Sequence, residues 1–220
     1  LPRPGRRRPR RRALPRDLTM NTATQLAAVP PLGATGSRFA RNRPRALRLF
    51  AERGFAQVSL RELARHLELT AGSLYSHCAS KEELLLEFIE EHYTALLALF
   101  DRQHRRASPR ATLDNVLHEL LALHARAPAY FCLATRDVGC LDAEQRGQVA
   151  QLRRRLRGQL DGLLRAAGCV DPACLGIPAL ELFEHLPQWL AGSELSEKQR
   201  HAALLRALTA PLQPVQETAP

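Results

Sequence analysis

The chain has 220 residues, 45% of them hydrophobic, enough to bury a core and too apolar for a wholly disordered protein. Its net charge of +10 suggests a polyanionic partner, but seven of those charges sit in residues 1–19, where eight arginines face only Asp17, so global charge is a weak guide to function. Five cysteines and no signal-peptide pattern imply a reducing, cytoplasmic protein without disulfides, and no run reaches the roughly 18 to 20 apolar residues that would imply a membrane partner.

In chain order, residues 1–37 mix Arg, Pro, Gly, Thr and Ala without periodicity and read as a disordered basic tail, with Met20, the sole methionine, a possible native start. From Arg41 onward the apolar residues recur at helical spacing, which predicts an all-α protein of about nine helices. They are expected at 39–53, 59–66, 70–77, 81–100, 109–126, 128–136, 142–167, 173–191 and 196–209, followed by a disordered tail at 213–220. Several boundaries carry a mechanism. Ser59 with Glu62, Ser80 with Glu83 and Ser196 with Gln199 match the capping box, Ser108–Pro109 and Asp171–Pro172 pair an N-cap with a proline at the first helical position, and Asp142 with Gln145 opens another helix.

Residues 47–84 hold the decisive pattern. Gly54 ends the first helix, Ser59 opens a second that offers Leu60, Leu63, Ala64 and Leu67 to a small core, and a tight turn leads to a third of about two turns starting near Thr70. This is the spacing of a helix-turn-helix, whose second helix enters the DNA major groove while the first spans the backbone.

Gly54-Phe55, Ser59, Leu63-Ala64, the stretch from Thr70 to Tyr75, His77 and the run from Ser80 to Leu84 together resemble the N-terminal signature of the TetR (tetracycline repressor) family. The resemblance implies a helix-turn-helix domain at 38–83 and a helical effector-binding and dimerisation domain at 84–212. It implies a double-stranded DNA operator, a homodimer and a small, mostly apolar organic effector as partners. Two departures stand out. Glu68 occupies a turn position usually held by glycine, where positive φ costs about 1 kcal/mol and predicts a slightly reshaped turn. Cys78 stands where an aromatic is common, predicting looser packing or filling from elsewhere.

Ser59 and Thr70 at helix starts are expected to cap and to meet phosphate, as are Tyr75, His77 and Lys81, the last being the family's usual phosphate-binding lysine. Arg61 is expected at a guanine edge or a phosphate. Ala71, Gly72 and Ser73 imply close backbone approach with apolar or water-mediated readout. Arg45, with Arg38, Arg41 and Arg43, is placed to reach the adjacent minor groove or backbone. For Tyr75 the competing reading is core packing, and for Arg61 and His77 a solvated face.

Behind this segment, Phe88, His92, Tyr93, Leu96, Leu117, His118, Leu120, Tyr130, Phe131, Arg136 and Trp189 are candidates to line an effector pocket, with His124 a further polar anchor, although each has core packing as an equal alternative. The family resemblance implies dimerisation through the last two long helices, and Leu180, Phe183, Leu186, Leu190, Leu204, Leu205 and Leu208 are the candidates for that interface. Pro187 should kink the eighth helix. The arginine-rich seventh helix reads as a solvated outer face. No catalytic residue, metal site or cofactor is implied: Cys169 and Cys174 lack a second ligand pair at zinc spacing. An all-helical enzyme or a helical adaptor remains the alternative, and both leave the match at 47–84 unexplained.

Overall fold

The structure, a computed structural model, describes residues 38–101, 108–168 and 176–209. These all lie within one of the chain's two units, Gly33–Pro220. The expected tails, the cysteine pair at 169 and 174 and the Asp171–Pro172 helix start fall outside them. Among the described residues there are nine α-helices and no strand: α1 (Arg38–Arg53), α2 (Leu60–His66), α3 (Ala71–Tyr75), α4 (Lys81–Asp101), α5 (Pro109–Arg126), α6 (Pro128–Arg136), α7 (Ala143–Ala166), α8 (Ile177–Ala191) and α9 (Glu197–Thr209), with single 3₁₀ turns at Phe55–Gln57 and Val138–Cys140.

Local chemistry sets most of these ends. Ser59, Thr70 and Ser108 each accept the N–H three residues on, at 3.2, 3.1 and 3.3 Å. Asp142 with Gln145 and Ser196 with Gln199 form complete reciprocal boxes. The boxes at Ser59 and Ser80 are incomplete, because Glu62 turns to Arg53 and Glu83 accepts the Ala79 N–H instead. Gly54 ends α1 at φ 88°, ψ 132°, a conformation that side chains resist.

The α2–α3 turn is not reshaped by the missing glycine. Glu68 takes the left-handed conformation itself, at φ 56°. Glu68 N–H donates to Arg65 O (3.1 Å) and Leu69 N–H to Ala64 O (2.9 Å), the paired bonds of a Schellman cap. Side chains of α1 hold the turn from outside: Asn42 Nδ2 donates to Leu67 O (2.8 Å), and Arg45 donates to His66 O (2.5 Å) and to the Glu68 carboxylate (3.1 Å). Relief of positive φ is worth about 1 kcal/mol, while an exposed ion pair gives back only part of that. Glu68→Gly should therefore raise the unfolding free energy by about 0.5 kcal/mol and Glu68→Val lower it by about 1 kcal/mol, as read by urea denaturation.

Phe50, Phe55, Leu63, Leu67 and Leu74 close a core between α1, α2 and α3. Behind it α4 packs on α5, α6 and α7, while α8 packs on α5, α6, α7 and α9. This arrangement corrects the expected dimer face. Leu180, Phe183, Leu190, Leu204 and Leu208 are buried within the protomer, and Leu186 and Leu205 pack against the same core. An apolar stripe must be covered, and here the chain's own helices cover it. Pro187 is likewise buried within α8, where its ring leaves one helical carbonyl without its usual N–H partner.

Candidate functional site

The described end of the molecule formed by α2 and α3 exposes short and polar side chains on a braced frame. Ser59, Arg61, Thr70, Ala71, Gly72, Tyr75 and His77 are exposed and Ser73 is half-buried. Tyr75 is 55% exposed, which removes the core-packing alternative. No heavy atom outside its own helix lies within 4 Å of a Cβ built on Gly72, so the α3 backbone is open to close approach. Arg65, four residues after Arg61 and exposed on the same side of α2, is a candidate the sequence reasoning passed over, although the i, i+4 spacing was visible. His77 stacks on Phe39 of α1, with centroids 5.0 Å apart and rings within 8° of parallel, so only part of its imidazole remains for solvent. Cys78 is buried with its thiol on Leu74 O at 3.6 Å, and burial pushes that thiol up to about 11, which leaves it an inert small hydrophobe.

Three cations expected at DNA are bound up in the frame. Lys81 Nζ donates to Phe55 O (3.0 Å) and Val58 O (2.8 Å) and lies 4.1 Å from the Phe55 ring centroid, so it pins the 3₁₀ turn to the start of α4. Arg45 holds the α2–α3 turn. Arg43 pairs with Glu87 (2.6 Å) and Glu91 of α4 and lies over the Phe88 ring at 4.8 Å. In each case carbonyls or carboxylates of the chain itself take up the charge, and sequence spacing does not disclose them.

The effector candidates separate into two groups. Phe88, His92, Tyr93, Leu96, Leu117, Leu120, His124 and Phe131 are all buried among the helices behind α1–α3. The other members are elsewhere. Trp189 is 63% exposed on α8 and stacks on His185. His118 is on the outer surface of α5, 6.1 Å from His201 of α9 by ring centroid. Arg136 is a clip: it donates to Ala51 O (2.9 Å) and Phe50 O (2.8 Å) at the end of α1 and to the buried Asp137 carboxylate (2.8 Å). Free carbonyls at a helix C-terminus attract a guanidinium, so α6 is tied to α1. Tyr130 is half-buried and donates to Glu91 at 2.8 Å, which joins α6 to the Arg43 cluster; its hydroxyl is held well above the usual phenol range, chiefly by burial and also by this bond.

No described helix is long and apolar enough to cross a membrane. The family model of the bacterial regulatory proteins, tetR family, matches residues 45–88, the segment from late α1 to mid α4. Over 115 residues the chain is 28% identical to the HTH-type transcriptional repressor NemR of Escherichia coli strain K12; the match takes in 51% of this chain and 54% of NemR, about half the relative's length. In fold it is similar to the TetR-family transcriptional regulator PfmR of Thermus thermophilus, at a TM-score of 0.68 and 24% identity over 79% of this chain and 100% of that one. It is also similar to AibR, whose crystal structure holds isovaleryl coenzyme A and operator DNA, at a TM-score of 0.64 and 19% identity over 80% of this chain and 100% of that one. Residues 45–88, which form the exposed helix pair and its brace, thus carry the N-terminal domain of the tetR family of bacterial regulatory proteins, and the helices behind them share the fold of solved TetR-family regulators.

Proposed function

We propose that this protein is a ligand-responsive transcriptional repressor that binds a palindromic operator as a homodimer and is released by a small, mostly apolar organic effector held among α4–α8. The observation that carries the reading is the open α3 surface, Ala71, Gly72, Ser73 and Tyr75, flanked by Arg61 and Arg65 on a frame braced by Lys81, Arg45 and Asn42. Small residues at the tip suit close approach to base edges, and the flanking hydroxyl and guanidinium groups suit phosphates. The similarity to NemR, named as a repressor, and to AibR, solved with operator DNA and an acyl coenzyme A, supports the same assignment. Two symmetric copies would present their α3 helices roughly 34 to 36 Å apart, one turn of B-DNA.

The test is a gel shift with DNA flanking the protein's own gene against scrambled competitor, over a salt series. Tyr75→Phe and Arg65→Ala should weaken binding to both DNAs and reduce the salt dependence by about one counterion for the arginine, whereas Ser73→Ala should alter preference between sequences. Arg61→Ala separates a phosphate contact from a base contact by the same two readouts. Wild-type protein that prefers its flanking DNA no more than competitor overturns the reading.

The dimer is assigned to the face of α8 opposite the buried leucines. Ile177, Glu181, His185 and Trp189 recur every fourth residue, with Ile177 61% and Trp189 63% exposed and Glu181 bonded to His185 at 3.2 Å. Exposed large apolar groups aligned on one helix mark an association surface. Trp189→Glu should convert the dimer to monomer at micromolar concentration by sedimentation while leaving the helical spectrum unchanged, because Trp189 contributes little to the protomer core.

A further inference from the structure

We propose that His92 and His124 together form the polar anchor of the effector site, and that the ligand is a small, mostly apolar molecule bearing one oxygen acceptor head, a carbonyl or a carboxylate. The proposal rests on the effector-site assignment above and names the chemistry that site selects.

His92 of α4 is 2% exposed and His124 of α5 is 6% exposed, and the Nε2 atom of each lacks any hydrogen-bond partner. Among the described residues only one other buried side-chain atom, Gln159 Oε1, shares that state. A buried nitrogen without a partner costs roughly 1 to 3 kcal/mol, and replacing it with an apolar group of the same shape is neutral or stabilising. Two such atoms in one place are therefore a standing loss of stability unless something completes them.

They do share one place. Both imidazoles stand edge-on to Phe131 of α6, with centroids at 4.6 and 4.8 Å and rings inclined at 75° and 69°. Their own centroids therefore lie within about 10 Å of each other, so the two unpartnered nitrogens belong to one buried cluster. Three helices meet here, and the neighbouring surface is apolar: Leu96 and Leu120 stand one turn from the histidines on α4 and α5, and Tyr93 packs on His92 at 5.2 Å. This gives an apolar setting that holds two unpartnered polar atoms, the usual make-up of a small-molecule site.

The head group follows from the charges that reach the pair. Burial keeps both rings neutral, and Arg200 of α9 sets a permanent positive charge near His124. A neutral imidazole chooses its tautomer, so each Nε2 is able to carry its proton and donate. Two donors near a guanidinium select an oxygen acceptor over an amine.

The experiment uses the full chain with sodium octanoate, methyl octanoate, sodium phenylacetate, methyl phenylacetate and octylamine. Melting temperature and release of bound operator DNA are the readouts. A carboxylate or an ester should raise the melting temperature by several degrees at saturation, and octylamine should not. A response to the carboxylates alone identifies an acid head; a response to the esters as well identifies a carbonyl. The double variant His92→Phe/His124→Phe should melt at or above the wild-type temperature without ligand, bind the active probe at least about tenfold more weakly, and still shift operator DNA. His92→Gln/His124→Gln, which returns an N–H near each Nε2, should recover part of the affinity and covers the case in which the Phe pair fails to fold. The proposal is overturned if no acceptor-bearing probe binds, if octylamine binds as well as the acids, or if both variants keep wild-type affinity. Failure of wild-type protein to bind operator while the probes still shift its melting temperature would sink the repressor assignment and leave the anchor standing.

Discussion

Arg153→Ala is expected to lower the free energy of unfolding by about 3 kcal/mol. Arg153 of α7 reaches across to α8, donating to Glu184 through Nη2 (2.5 Å) and Nε (3.2 Å) and to Glu181 through Nη2 (2.7 Å). Glu184 is only 2% exposed, so its carboxylate has left water and depends on this guanidinium. Removing one partner of a buried pair costs roughly 3 to 5 kcal/mol; about 3 is taken because the Arg153 side chain is 35% exposed and water partly replaces it. The decisive control is Arg153→Met/Glu184→Gln, which removes both charges while keeping an amide oxygen near the buried Tyr93. It should return to within about 1 kcal/mol of wild type by urea denaturation. A loss below about 1 kcal/mol in the single variant would mean that Glu184 is reached by solvent. Because Arg153 also holds Glu181, which lies on the outward α8 stripe, the single variant should weaken dimerisation as well.

The second large effect is acid lability between about pH 6.5 and 5. Burial is the main cause that lowers the His92 imidazole to about 3, with His124 a further contributor, and His124 is itself lowered by burial and by Arg200. In the unfolded chain both titrate near 6.5. Below that pH the unfolded chain takes up protons that the folded chain refuses, so stability is fully present above about 6.5 and falls as the pH approaches the folded value. The loss from about pH 6.5 to 5 should be about 1.5 kcal/mol for His92 and less for His124. Chemical denaturation across this range, above most carboxylate titrations, gives the slope directly. His92→Phe/His124→Phe should flatten it; an unchanged slope in that variant would assign the lability to other groups. A bound carboxylate would work against the trend, since it favours the protonated rings.

Much of the secondary structure was legible because it is decided within a few residues of itself. Ser108 before Pro109 places the start of α5, and Asp142 with Gln145 places the start of α7, since a free N–H at a helix end is satisfied by the nearest suitable side chain. The exposed surface of α2 and α3 was legible for the same reason: Thr70, Gly72, Ser73 and Tyr75 belong to one short motif whose geometry is local. Glu68 shows the limit of such reasoning. Its sequence position disclosed the strain, but Asn42 and Arg45, more than 20 residues earlier, decided that the turn would keep its form.

Local patterns were thus enough for the helical class, the order of the helices, the helix-turn-helix and the tetR-family character of residues 45–88. The partner of each long-range group came from the packing of distant segments. An amphipathic stripe states that a face is buried and not what buries it, so Leu180, Phe183 and Leu204 proved to be the protomer's own core and Trp189 its exposed surface. A lysine or arginine codes for a charge on a long flexible stem, and the carbonyls that captured Lys81 and Arg136 lie 23 to 26 and 85 to 86 residues away in sequence. The same holds for His92 and His124, which come from different helices and are brought together by packing on one Phe131; long-range packing, which no local periodicity encodes, left their two nitrogens without partners.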